Sequence, residues 1–169
     1  ELYIGGAFTS MGSGPANQIV KYNGTTWTNL SSMTNNTVKD IKFDQNGIMY
    51  VGGGFTTIGG LQARRIARYD GTAWSEVGSG VDNFVNAIGI SPNNDVYIGG
   101  QFYLGNNVGI LNNFEKINGT TLQSVNGGIG SFSDNVYNIQ FLCGKMYATG
   151  VFLVYNNDTL NYIAVNDGS

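Results

Sequence analysis

The hexapeptide YVGGGF at residues 50–55 decides the fold, because close variants of it return along the chain. These variants are YIGGAF at 3–8, YIGGQF at 97–102 and YATGVF at 147–152, which gives steps of 47, 47 and 50 residues. Self-similarity at a nearly fixed period is the sequence signature of a repeat architecture. We therefore expect the 169 residues to be built from one repeated structural unit.

Two further motifs keep the same step. The first is YNGTTW at 22–27, followed by YDGTAW at 69–74, INGTTL at 117–122 and a truncated NDG at 166–168. The second is VKDIKF at 38–43, followed by VNAIGI at 85–90 and VYNIQF at 136–141. Three motifs in one register make a chance resemblance between the units implausible.

Each motif is typical of a β-strand. Apolar residues fall on one parity of the run, as Met49, Val51 and Phe55 do. Gln45-Asn46-Gly47 predicts a hairpin between the first two strands of a unit. Asp70-Gly71, like Asn23-Gly24 and Asn118-Gly119, predicts a tight turn between the third and fourth strands. For these turns we expect type I′, because Asn-Gly and Asp-Gly readily supply its positive φ angles.

Four strands in about 47 residues, without helical periodicity, predict a β-propeller blade rather than a coil of a solenoid, whose repeats are usually shorter. The fold class we expect is therefore an all-β propeller of four-stranded antiparallel blades. Residues 1–169 form one segment with about 3.5 repeats, and the approximate blades are 1–37 (partial), 38–84, 85–135 and 136–169 (partial).

A ring of this kind is incomplete, because closed propellers usually take four to eight blades. We expect adjacent polypeptide or further copies of the chain to complete it, since both ends cut through a repeat. Within the ring, VKDIKF and its copies should form the innermost strands. The strands of Trp27 and Trp74 should be outermost.

A glycine pair inside the second strand should weaken that strand. Its return at Gly5-Gly6, Gly52-Gly53 and Gly99-Gly100 predicts that backbone or a neighbouring ring approaches closely there. A β-bulge at the same place is the alternative interpretation.

The order of these residues resembles the kelch repeat, in which a hydrophobic strand ends in Gly-Gly and a Tyr and a Trp follow. The matching residues are Gly5-Gly6, Tyr22 and Trp27 in one unit and Gly52-Gly53, Tyr69 and Trp74 in the next. The fuller pattern is closer still to the kelch-like repeats of the Rax2 cell-polarity family and of large surface proteins of bacteria, fungi and giant viruses. The resemblance implies a propeller of the galactose-oxidase central-domain type that serves as a scaffold.

The later units depart from this pattern. Leu122 stands where the other units have Trp, Thr149-Gly150 replaces the glycine pair, and Asn166 replaces Tyr.

Composition excludes several classes of function. A net charge of −3 argues against a nucleic-acid partner, which requires clustered Lys and Arg. No apolar run approaches the roughly 18 residues that a membrane-spanning helix needs. The chain has no His and only one cysteine, Cys143, so it lacks an imidazole base, an internal disulfide and the usual zinc ligands. We expect no enzymatic activity, no cofactor, no metal site and no membrane insertion.

The loop lengths predict a binding face. The links between second and third strands and the links between blades are the long ones, and in a propeller both sets emerge on the same side. Function on a rigid scaffold concentrates in such loops. We therefore take Arg64, Tyr103, Asn107 and Phe132 as candidate contacts for a protein or glycan partner.

Other residue classes have structural explanations. Asp40, Asp44, Asp82, Asp95 and Asp134 could suggest calcium, but most fall in turns, where Asp is expected for its local hydrogen bonds. The run from Asp44 lacks the bidentate Glu of an EF-hand. The regularly spaced Tyr and Trp residues are expected in the core between blades.

These observations lead to one functional hypothesis and two alternatives. The hypothesis is a non-catalytic structural or adhesive module of a larger extracellular or virion-surface protein. One alternative is the carbohydrate-binding part of a galactose-oxidase-like enzyme, whose copper would need His ligands that this chain lacks. The other is an intracellular kelch-type interaction scaffold. The surface location follows from the family resemblance alone.

Overall fold

The protein forms β-strands throughout the part of the chain that the structure, a computed structural model, describes. The described residues are 1–11, 14–30, 34–105, 109–110, 112–125, 128–152, 154–155, 158–159 and 162–166. They contain no helix, and so none that could span a membrane. The strands build four main antiparallel sheets and four small hairpins.

Each main sheet is assembled from one repeat. Sheet 1 contains β1 (Leu2–Gly5), β4 (Ile19–Tyr22) and β5 (Trp27–Asn29). Sheet 2 contains β6 (Val38–Phe43), β7 (Met49–Gly53), β10 (Ile66–Tyr69) and β11 (Trp74–Glu76). Sheet 3 contains β12 (Val85–Ile90), β13 (Val96–Gly100), β16 (Phe114–Asn118) and β17 (Thr121–Ser124). Sheet 4 contains β18 (Asn135–Leu142), β19 (Lys145–Val151) and β22 (Ile163–Asn166).

The prediction of an all-β propeller fold with antiparallel blades is confirmed. Sheets 2 and 3 each have four strands that pair in chain order, as a blade requires. Sheets 1 and 4 each have three, and the described residues do not close a ring.

The links between second and third strands are more ordered than the sequence suggested. Each contains a two-stranded hairpin: β2 (Ser10–Met11) with β3 (Gly14–Pro15), β8 (Thr57–Ile58) with β9 (Leu61–Gln62), β14 (Leu104–Gly105) with β15 (Gly109–Ile110), and β20 (Val154–Tyr155) with β21 (Asp158–Thr159). These links are long, as their lengths in the sequence indicated, and they also contain short paired strands. Gly59-Gly60 at the tip of the second hairpin supplies the positive φ angles of the turn, 58° and 82°.

The turns between third and fourth strands lie where they were predicted, but the type I′ assignment was wrong. In sheet 3 the central residues of the turn are Gly119 and Thr120, and only Gly119 has positive φ. Gly24 and Gly71 have positive φ, whereas Asn23 and Asp70 do not. The carboxylate of Asp70 instead accepts hydrogen bonds from the N–H groups of Thr72 and Ala73, both at 2.8 Å. This side-chain bonding fixes a four-residue loop between the strands, and Asn23 does the same in sheet 1.

The first strands of sheets 2, 3 and 4 lie next to one another. β12 packs against β6 on one side and β18 on the other, although each is an edge strand of its own sheet. The carboxylate of Asp40 on β6 accepts a hydrogen bond from the N–H of Ile88 on β12 at 2.8 Å. The strands of Trp27 and Trp74 lie at the opposite edges of their sheets. The predicted order from inner to outer strands is therefore confirmed.

The core lies between neighbouring sheets in three apolar clusters. The Phe that ends each later hexapeptide, Phe55, Phe102 or Phe152, is completely buried. The aromatic pair of the fourth strand is less buried than expected. Trp74 is half-buried against Tyr69, whereas Trp27 is 40% exposed and stacks on Tyr22 with ring centroids 4.5 Å apart. The prediction of a core role thus does not hold for Trp27, which covers the outer edge of sheet 1.

The second glycine of the pair lies against backbone in sheets 2 and 3, whereas Gly6 in sheet 1 lies against the ring of Phe8. A Cβ on Gly53 would collide with the carbonyl oxygen of Thr37, and one on Gly100 with that of Phe84. Opposite the pair, the first strand bulges between Val38 and Asp40, with matching bulges in sheets 3 and 4. Close approach of backbone and a β-bulge, the two interpretations of the glycine pair, therefore occur at the same place.

Candidate binding face

Three of the four predicted contact residues lie at the end of the sheets that carries the short hairpins. We call this end the hairpin face and define it by hairpins β8–β9 and β14–β15 with the links at residues 78–84 and 128–134. Tyr103 and Phe132 meet there edge to face, with ring centroids 5.4 Å apart and an angle of 78° between the planes. Arg64 is exposed, and its carbonyl oxygen accepts a hydrogen bond from the N–H of Val81 at 3.2 Å. Asn107 lies outside the described residues.

A polar side chain from a link between blades fixes each of the hairpins β8–β9 and β14–β15. The side-chain oxygen of Asn35 accepts a hydrogen bond from the N–H of Thr56 at 2.8 Å. One repeat later, the carboxylate of Asp82 accepts from the N–H of Tyr103 at 2.9 Å. The N–H of the next residue binds the same oxygen in both cases. The hairpin face therefore consists of loops held rigidly by repeated hydrogen bonds.

The link that carries Phe132 is held from both sides. The carboxylate of Asp134 accepts hydrogen bonds from the N–H and the hydroxyl of Ser131, at 2.6 and 3.1 Å. The side-chain amide of Asn113 donates to the carbonyl oxygen of Ser131 at 2.7 Å. Phe132 itself is 74% exposed, the most exposed large apolar side chain among the described residues. A fixed backbone thus presents an aromatic ring to solvent.

A left-handed residue precedes the third strand in every repeat, which sequence reasoning missed. These residues are Gln18, Arg65, Asn113 and Tyr162, with φ between 56° and 72°. The N–H of Arg65 donates to the carbonyl of Phe55 at 2.8 Å, and its carbonyl accepts from the N–H of Gly53 at 2.9 Å. The other repeats make the same pair of backbone bonds. Four different side chains occupy this position, so no residue type reveals it in the sequence.

The opposite end of the molecule carries a polar groove between sheets 2 and 3. It has a volume of about 380 Å³, and Asp44, Tyr50, Arg68, Asp95 and Lys116 line it. The Nζ of Lys116 lies 2.8 Å from a carboxylate oxygen of Asp95, and this contact raises the pKa of Lys116. Burial, followed by the nearby Asp44 carboxylate, raises the pKa of Tyr50. The groove combines paired charges with a phenol that stays protonated at neutral pH.

The carboxylates considered for calcium have local partners. Asp44 accepts hydrogen bonds from the N–H groups of Asn46 and Ile48, both at 2.9 Å, and Asp95 is paired with Lys116. In the described part of the chain, no three His, Cys, Asp or Glu side chains lie close enough together to hold a metal ion. Their arrangement fits the turn-forming role that the sequence suggested for most of them.

Glu115 is a buried acid that the sequence did not single out. It lies on β16 opposite Ile98 and is completely buried, and both of its carboxylate oxygens lack a hydrogen-bond partner. Burial raises the pKa of its carboxyl to about 8. The same position holds Ala67 in sheet 2 and Ala164 in sheet 4, both buried. A carboxyl therefore replaces a small apolar side chain between two sheets.

Comparison with known families identifies one segment. Residues 45–72 match the family model described as a domain of unknown function (DUF5122) beta-propeller. The matched segment begins in the turn after β6 and ends in the turn before β11, so it includes β7, the hairpin β8–β9 and β10. The match agrees with a propeller-type repeat and assigns no activity to it. No curated protein matches the chain.

Proposed function

We propose that the chain is a non-catalytic structural or adhesive β-propeller module of a larger extracellular or virion-surface protein. The resemblance of its repeats to kelch-like and Rax2-like units supports this role, because propellers of that kind serve mainly as scaffolds. The lack of His in the sequence supports the non-catalytic part, since His is the commonest general acid–base residue.

The observation that carries a binding role is the exposed aromatic pair on the hairpin face. Phe132 is 74% exposed, yet its ring contacts Tyr103 and its backbone is fixed by Asp134 and Asn113. Rigid aromatic side chains offer large contact areas at a low cost in conformational entropy. We infer that a protein or glycan partner docks on this pair, with the exposed Arg64 on the same face.

Further polypeptide completes the propeller in this proposal. The described residues form four sheets, two of them with three strands, and no strand pairs with the outer edge of β22. Unpaired strand edges recruit other strands. The missing strands come either from adjacent polypeptide or from further copies of the chain.

Binding screens with the purified chain test the proposal. Labelled wild-type protein is applied to a glycan array and selected against a random-peptide phage library. We expect at least one class of ligand to bind, and Phe132→Ala to weaken that binding by about tenfold, the effect of a single interface anchor. Leu142→Ala is the matched control, because Leu142 is exposed at the other end of its sheet and should bind normally.

The outcomes separate the competing functions. Binding confined to glycans favours the carbohydrate-binding alternative, and oxidation or hydrolysis of a bound glycan contradicts the non-catalytic assignment. Equal binding by Phe132→Ala and wild type shows that the partner docks elsewhere.

A further inference from the structure

The sheets pack through a repeated contact between a glycine and a valine. The first glycine of each pair faces the next sheet, at Gly5, Gly52 and Gly99. A Cβ on these residues would lie 2.5, 2.6 and 2.5 Å from the Cγ1 atoms of Val38, Val85 and Val136, respectively. Real Cβ atoms essentially never approach other atoms that closely. At all three interfaces, therefore, the valine methyl group occupies the space that a larger residue would need.

A second position follows the same size rule. Gly54 lies against the ring of Phe84, which occupies the place of its missing Cβ. In the sequence of the preceding repeat, the corresponding residues are Ala7 and Thr37, so a larger residue replaces Gly54 and a smaller one replaces Phe84. This exchange agrees with size matching at the interface, as close-packed interiors require.

Sheet 4 breaks the rule at its outward face. Thr149 pairs with Ile163 on β22 and with Asn138 on β18. Gly99 has the equivalent pairs in sheet 3, with Phe114 on β16 and Ala87 on β12. Thr149 therefore occupies the position that the first glycine of the pair has in sheets 1 to 3. Its Cβ lies where, in those sheets, a methyl group of a valine from the next sheet is packed.

The same face is otherwise suited to docking. We call it the sheet 4 face, because its side chains point to the same side of the sheet as Thr149. Its apolar residues are Leu142, Tyr147, Val151, Ile163 and Val165, and its polar residues are Asn138, Gln140 and Lys145. Four of the apolar side chains are about half exposed, between 47% and 54%. Adjacent exposed apolar side chains of this kind mark an interaction surface. The face continues the row of interfaces that join sheets 1 to 4.

We propose that the sheet 4 face docks a further antiparallel blade whose first strand carries alanine or glycine, instead of valine, opposite Thr149. This inference rests on the proposed completion of the propeller by further polypeptide and states which blades are accepted. The three first strands in this chain all present valine at that position, at Val38, Val85 and Val136. None of them fits the sheet 4 face in the register used elsewhere. Thr149 thus selects the blade that follows.

A tandem extension of the chain tests the inference. A copy of residues 73–124 is fused after Ser169. The copied Trp74 then follows Asn166 by five residues, the same spacing as from Tyr69 to Trp74. The copy supplies a fourth strand for sheet 4 and one complete further blade. Four fusions are compared. Residue 149 is either Thr or, in T149G, Gly, and the valine in the appended copy is either kept or replaced (V85A in the copy, with the original Val85 unchanged). Hydrogen exchange of the β19 and β22 amides reports docking, and the amides of sheet 2 report that the chain is folded.

With Thr149 and the appended valine, we expect the β19 and β22 amides to exchange as in a chain extended by residues 73–76 alone, which supplies the fourth strand without the blade. V85A in the copy, or T149G with the valine kept, should slow their exchange by about tenfold to a hundredfold, the effect of relieving one overpacked methyl contact. Equal protection in the Thr149–valine and T149G–valine fusions overturns the selectivity. If the sheet 2 amides stay protected but none of the four fusions slows exchange, completion by a further blade is itself wrong.

Discussion

At the scale of a single residue, the buried carboxyl of Glu115 links the stability of the fold to pH. In the folded protein its pKa is about 8, raised from an ordinary 4.5 by burial. Between these values the folded state binds a proton that the unfolded chain has lost, so the free energy of unfolding falls as pH rises from about 4.5 to 8. Each pKa unit corresponds to about 1.4 kcal/mol, so the loss amounts to at most about 5 kcal/mol.

Urea denaturation of wild type and Glu115→Gln at pH 5 and pH 9 measures this effect. The amide stays neutral at both values, so the variant should lose less stability than wild type between them. The difference between the two slopes isolates Glu115 from all other titrating groups. Identical slopes would show that Glu115 reaches solvent or a hydrogen-bond partner in the folded protein.

Gly99 tests the size matching between sheets at a position inside the molecule. Gly99→Ala places a Cβ 2.5 Å from the Cγ1 of Val136, and overpacking of this kind costs about 1–3 kcal/mol. Gly14→Ala is the matched control, because no atom lies within 4 Å of the added Cβ. We expect the control to stay within about 0.5 kcal/mol of wild type in thermal denaturation.

The double variant Gly99→Ala with Val136→Ala attributes the cost to this contact. Val136→Ala removes the atom closest to the new Cβ. The double variant should therefore lose less stability than the sum of the two single losses. Strict additivity would mean that the alanine destabilises β13 by itself and not the interface.

At the scale of elements, the hairpin β8–β9 covers the outer strand of sheet 2. The indole of Trp74 on β11 lies where a Cβ of Gly59, in the hairpin β8–β9, would be. We expect Trp74→Ala to cost about 3 kcal/mol, the lower end of the range for a buried aromatic, because Trp74 is half-buried. Arg64→Ala is the control and should stay within about 0.5 kcal/mol. Equal melting temperatures for the two variants would contradict the packing of Trp74 under the hairpin.

The strands could be predicted because their signals are local. Alternation around Met49 and Val51 and the turn glycines fix the order of strands without knowledge of the whole fold. The hairpin β8–β9 also had a signal, since Gly59-Gly60 separates the apolar residues Ile58 and Leu61. The turn type at Asp70 depended on a side chain that competes with the backbone for hydrogen bonds, which the dipeptide alone does not reveal.

The candidate site was only partly predictable, because its geometry depends on long-range packing. Tyr103 and Phe132 could each be placed in a long link, but their contact depends on the path that two separate links follow. The burial of Glu115 is unexpected for a charged residue type. It results from packing of sheet 3, to which β16 belongs, against its neighbouring sheets. The left-handed conformation of Arg65 is imposed by its two backbone bonds, to Phe55 and Gly53, and not by its residue type.

At the scale of the whole molecule, the free strand edges of the first and last sheets predict self-association of the chain. Among the described residues, β1 pairs only with β4 and β22 only with β19, so each has one unpaired edge. Unpaired edges beside exposed apolar side chains recruit other chains. Light scattering at micromolar concentration should give an average mass above that of one chain, rising with concentration. Val165→Lys, which places a charge on the sheet 4 face, should lower that mass, whereas Gln62→Lys on the exposed β9 should not. A stable monomer at all concentrations would show that these edges are protected and that the strands counted as missing are not needed.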